Sequence, residues 1–116
     1  MPHIKLEYTH NIEFEKEPAI LLENIIKILV YLIKVKHQNC RGRIFKLQNY
    51  SSHNHNGFIH LEISIIEGRN QNIKKKAAYE CIEIIKSIVK KEVLKNVQIS
   101  IEFRDVSKQK YFSNTL

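Results

Sequence analysis

The stretch GFIHLEISIIEGRN, residues 57–70, decides the fold. Ile59, Leu61, Ile63 and Ile65 alternate with His60, Glu62 and Ser64, the period of two expected for a strand with one buried face. The polar run EGRNQN breaks that period. After it Ile73, Ala77, Cys81, Ile84, Ile85, Ile88 and Val89 recur at helical spacing, with lysines and glutamates on the opposite face. Residues 97–103 then alternate again without a fault. The second half of the chain reads strand, helix, strand.

The first half repeats that order. In residues 3–8, Ile4, Leu6 and Tyr8 fall on one side and Lys5 and Glu7 on the other. A helix is expected from Glu15 to about Lys36. Pro18 suits its first turn, and acidic residues crowd the end where the helix dipole favours them. Ile20, Leu21, Asn24, Ile25, Ile28, Leu29, Leu32 and Ile33 form an unusually wide apolar stripe, so this helix should bury more than one side. A second strand fits residues 43–50 and ends in the polar loop SSHNHNG. The expected fold is α+β, a single domain over residues 1–116. Two βαβ units build a four-stranded sheet covered on one face by two helices.

Bulk properties narrow the classes. A chain of 116 residues supports one modest core. With 43% apolar and 27% charged residues it fits a soluble globular protein. The longest apolar run, ILVYLI at residues 28–33, is far short of the ~20 residues that span a bilayer. Glu7, Glu13, Glu15 and Glu17 interrupt any signal-peptide core. Cys40 and Cys81 form no CxxC pair, which fits reduced thiols in a cytoplasmic protein.

The net charge of +7 raises nucleic acid as a partner. Most of it, however, is lysine scattered over expected solvent faces, Lys74, Lys75, Lys86, Lys90 and Lys91 among them. The few arginines are therefore more informative. Two helices leave one sheet face bare, carrying Lys5, Glu7, His60, Glu62, Gln98, Ser100 and Glu102. That bare face and the over-apolar first helix point to subunits packing together.

Four segments carry a resemblance. MPHIKLEYTHN at residues 1–11, RGRIFKL at 41–47, GFIHLEISIIEGRN at 57–70 and VQISIEFRDVSKQKYFSN at 97–114 together resemble the tautomerase superfamily. The match is nearest to the 5-carboxymethyl-2-hydroxymuconate isomerase family. It implies a cofactor-free, metal-free isomerase acting on an unsaturated hydroxy or keto polycarboxylic acid, assembled as a homotrimer with sites near subunit boundaries. It also implies that Pro2, freed by removal of Met1, is the general base, and that Arg41 and Arg69 bind and polarise the substrate. The loop SSHNHNG is more polar than its counterparts in that family. Phenylpyruvate-type tautomerisation is a rival on the same scaffold. A non-catalytic basic module for nucleic acid or an acidic protein is a rival of another class.

The implied residues suit proton transfer. A general base works best with a pKa near the working pH. An α-amino group starts at ~7.7–8.0 against ~10.4 for lysine. The secondary amine of proline is more basic, and nearby cations or burial pull it down. Guanidinium groups offer a carboxylate a planar, two-pronged donor that an ammonium lacks. Arg43 stands open between a supporting contact and a solvent-facing strand position. His3 should point away from Pro2 by alternation, with a structural role. His53, His55 and His60 lack the acidic or cysteine partners of a metal site. Cys40, beside Arg41, has no catalytic partner pattern, although the neighbouring cation favours its thiolate.

Overall fold

The computed structural model describes residues 1–116. Its strands are β1 (His3–Thr9), β2 (Arg41–Leu47), β3 (Gly57–Ile66) and β4 (Val97–Val106), and its two long helices are α1 (Pro18–Ile28) and α2 (Gln71–Ile88). The sheet order is β2-β1-β3-β4. β1 runs parallel to β2, β3 runs parallel to β4, and β1 joins β3 antiparallel. The chain is thus two βαβ units fused along their first strands, as the doubled pattern predicts.

The alternation read in the sequence is the burial pattern. Ile4 and Leu6 on β1 and Ile59, Leu61 and Ile63 on β3 are fully buried, with Leu6 opposite Leu61 in the register. Above them lie Leu21, Ile25 and Ile26 of α1 and Ala77, Cys81, Ile85 and Ile88 of α2. Cross-links between the units tie the far end, where Glu15 N–H donates to the Ile88 carbonyl and Lys90 N–H to that of Glu13.

Several boundaries differ from expectation. α1 begins at Pro18 rather than Glu15, because the proline occupies the first helical turn and the preceding residues lead in as a loop. After Ile28 the helix widens into one π-helical turn, Leu29–Ile33, and stops at Lys34 in the left-handed conformation with φ 64°. The wide turn swings Leu29 and Ile33 into the core while Tyr31 stays exposed. β2 starts at Arg41, two residues early, since Arg41 pairs with His3 in the β1 register.

The face of α2 is also turned by one residue at its start. Ile73, expected inside, is 41% exposed, and Lys74, expected in solvent, is only 8% exposed. Position 74 lies in line with Ala77, Cys81, Ile85 and Ile88, the stripe facing the sheet. Its long stem covers apolar surface, and its Nζ reaches both carboxylate oxygens of Asp105 on β4, at 3.2 and 3.1 Å.

The face away from the helices carries charge in ladders. Lys5 lies 3.8 Å from both Glu7 and Glu62, and Arg104 meets Glu62 at 3.7 Å and Glu102 at 3.2 Å. This face is mixed in sign rather than uniformly basic.

Lys74→Ala removes a buried stem and the partner of Asp105, and should lower unfolding free energy in urea by about 1–2 kcal/mol. Lys75→Ala, one position along and exposed, should change it by less than about 0.5 kcal/mol. Equal effects of the two would contradict the turned face.

Candidate active site

Because β1 and β3 run antiparallel, the sheet end where β1 and β2 begin is where β3 and β4 finish. Pro2, Arg41 and Arg69 all fall at that end. The segment RGR explains how β2 contributes. A side chain on Gly42 would collide with Leu22 of α1, its Cβ coming within 2.7 Å of a leucine methyl. Glycine therefore lets the helix close over β2. By alternation, Arg41 and Arg43 then stand on the opposite, open face, beside His3.

A cavity of about 440 Å³ opens there. Its walls include Met1, His3, Arg41, Arg43 and the tail residue Tyr111. Pro2 itself is buried between Met1 and His3, and its carbonyl accepts the Arg41 N–H at 2.9 Å. The Arg41 side chain is anchored from behind, Nη1 donating to the carbonyls of Gln38 at 2.8 Å and Cys40 at 3.1 Å. Arg43 Nη2 donates to His3 Nδ1 at 2.7 Å, and His3 Nε2 lies 3.0 Å from Tyr111 Oη. The terminal ammonium of Met1 reaches the same phenol oxygen at 3.5 Å.

The electrostatics of this corner are cationic. The pKa of His3 is lowered first by burial and then by Arg43, the N-terminus and Arg41. No carboxylate lines the cavity, so the guanidinium charges stand unneutralised toward its interior. An anion, and in particular a carboxylate, is what such a wall can hold.

The residues singled out from sequence are only partly brought together. Arg41 lines the cavity; Pro2 does not, although its chain neighbours Met1 and His3 do. Arg69 does not line it: its Nη1 turns back to the Ile66 carbonyl at 3.0 Å. Arg43, left open between support and solvent, is a cavity residue. His3 points away from Pro2 as alternation requires, yet this sets it among the arginines. Burial is the leading cause that raises the Cys40 thiol pKa, so the expectation of a favoured thiolate beside Arg41 fails. Two other histidines are engaged elsewhere, His53 of the loop with Ser51 Oγ at 3.1 Å and His60 of β3 with Ser100 Oγ at 2.6 Å. The profile of one family, described as 5-carboxymethyl-2-hydroxymuconate isomerase, matches residues 2–116.

The chain belongs to the 5-carboxymethyl-2-hydroxymuconate isomerase family. It is an isomerase of the tautomerase superfamily. Among solved structures it is similar to a 5-carboxymethyl-2-hydroxymuconate isomerase from Deinococcus radiodurans R1, with TM-score 0.80 and 21% identity over 99% of this chain and 90% of that one. A macrophage migration inhibitory factor-like protein from Entamoeba histolytica aligns with TM-score 0.76 and 12% identity, covering 97% and 95% of the two chains. A fused 4-OT solved as a symmetric trimer gives TM-score 0.76 and 11% identity over 97% and 93%. At these identities the likeness is one of fold. No curated protein matches the sequence. Within this isomerase fold the strand-end cavity is the concave basic site beside the chain's first residues.

The local field is measurable. His3 should titrate below the usual 6.5 in an imidazole NMR titration, and Arg43→Gln should move its midpoint upward. The folded chain then binds fewer protons at His3 than the unfolded chain does. The stability this group contributes is complete above pH 6.5 and is lost as the pH falls through the depressed folded value. A midpoint left unmoved by Arg43→Gln would mean that this guanidinium does not face the ring.

Proposed function

We propose that this protein is a cofactor-free isomerase that moves a proton within an unsaturated hydroxy or keto polycarboxylic acid, with 5-carboxymethyl-2-hydroxymuconate delta-isomerisation as its activity. The observation that carries the reading is the carboxylate-free, arginine-walled cavity beside Pro2 in a chain of this family.

Removal of Met1 makes Pro2 a free secondary amine, the general base. The amine takes the proton of the substrate's 2-hydroxyl group. The oxygen's electron pair closes to a ketone, the conjugated double bonds shift along the chain, and the same proton is returned to a distal carbon. Nothing else is consumed or released. A general base working near neutral pH needs its protonated form disfavoured, which burial and neighbouring cations both do in principle. Arg41 holds a substrate carboxylate and stabilises the charge that develops on oxygen.

Arg69 is proposed as the second substrate arginine. Within one chain it stands outside the cavity, so it must either leave the Ile66 carbonyl or be supplied by a neighbouring copy. A homotrimer, supported by the likeness to a trimeric 4-OT, places sites near subunit boundaries and provides that neighbour. The polar, basic lining favours a polycarboxylate over the aromatic substrate of a phenylpyruvate-type tautomerase. A cytoplasmic location suits two free thiols.

Mass spectrometry of active protein should show a chain starting at Pro2. Protein retaining Met1 should be inactive, because its proline nitrogen is an amide, and active Met1-retaining protein would overturn the assignment of the base. Arg41→Ala should cut kcat/KM about ten- to a hundredfold through loss of a charged hydrogen bond, with kcat falling and Arg41→Lys rescuing poorly. Lys75→Ala, on an exposed helix face, is the control; an equal loss there would attribute the effect to general surface charge. Sedimentation should give three times the 13.7 kDa chain mass.

A further inference from the structure

The bond between Arg43 and His3 fixes a proton. A guanidinium can only donate, so with Nη2 at 2.7 Å the Nδ1 of His3 must be an acceptor. The neutral ring therefore carries its hydrogen on Nε2, and that N–H donates to Tyr111 Oη at 3.0 Å. The phenol oxygen also accepts from the Met1 ammonium at 3.5 Å. With its oxygen engaged as an acceptor, the hydroxyl keeps its own hydrogen to give away. It gives it into a cavity that holds no carboxylate and is walled by two arginines. Removing Met1 takes away one donor and leaves the ring-to-phenol bond.

We propose that Tyr111 is a substrate-binding residue that donates its hydroxyl hydrogen to a bound carboxylate, and that Arg43 and His3 are positioning residues that aim it. The C-terminal segment is then part of the site rather than a loose end. The proposal rests on the polycarboxylate reading of the cavity. It adds that one of the carboxylate's donors is uncharged, and that this donor depends on a ring which must stay neutral. Arg41 and Arg43 from β2, the N-terminus and Tyr111 are the charged or titratable groups facing that ring. Protonating Nδ1 sets an N–H against the Arg43 donor and breaks that pair, which removes the contact that fixes the ring's aim at the phenol.

The test uses protein with its first residue verified, and two readouts. Fumarate binding by calorimetry reports on the anion site, and turnover of 5-carboxymethyl-2-hydroxymuconate reports on the reaction. Tyr111→Phe keeps the aromatic ring and removes only the hydroxyl, and it should weaken fumarate binding about ten- to a hundredfold. His3→Leu should cost a similar factor, and the double variant should be no weaker than either single one. His3→Gln should rescue most of the loss, because its amide accepts from Arg43 and donates to Tyr111. It should also abolish the acidic loss of fumarate binding attributable to the ring. Wild-type affinity in Tyr111→Phe, additive losses in the double variant, or no fumarate binding by the wild-type protein would each overturn the proposal. Fumarate binding that depends on Tyr111, without isomerisation, would uphold the donor and overturn the assigned reaction instead.

Discussion

The antiparallel pairing of β1 with β3 is the contact on which the rest of the molecule hangs. It sets Leu6 opposite Leu61 and Ile4 opposite Ile63, all fully buried beneath the helices. Each flanking strand is parallel to its neighbour, so this one join decides where every strand begins and ends. A slip of one residue would turn His3, Lys5 and Glu7 into the core and expel the isoleucines, a change no part of the sequence compensates. Register and site are therefore one problem. The pairing that buries the core also brings the start of β1, the start of β2 and the end of β3 to the same edge of the sheet.

Charge is distributed in two distinct ways over this frame. On the open face Lys5, Glu62, Arg104 and Glu102 neutralise one another across strands. At the strand end Arg41 and Arg43 spend their hydrogen bonds on carbonyls and an imidazole, which leaves their charge in place. The positive balance of the whole chain is thus a poor guide to its partners. What matters is where cations are gathered around one cavity with no carboxylate in its wall, as Arg41 and Arg43 are beside the first residues.

The strands were legible because period-two alternation is a direct record of burial, and β3 carries it for ten residues without interruption. The antiparallel join, in contrast, is a matter of tertiary pairing that no single segment encodes. Lys74 was misread because its charge suggested solvent, whereas its helical position is set by Ala77 and Cys81. Of the site, Pro2 and Arg41 were reached through family likeness, and Arg43 was half seen. The grouping with His3 was within reach: counting alternation from buried Ile4 and from crowded Gly42 puts all three basic residues on one face. Tyr111 was not. It meets His3 across 108 positions of sequence, from a tail with no periodicity to read.

That long separation has a consequence for how the cavity is lost. The core is built from residues 4–89, and the tail after β4 contributes none of its members. A hydroxyl held by one imidazole and lying over the outer rim frays at far lower cost than the sheet beneath it. Limited digestion from the carboxyl terminus past Tyr111 would therefore unroof the cavity while the helices and strands stay folded. The integrity of the site and the stability of the fold are separate properties in this molecule, and a melting curve reports only the second.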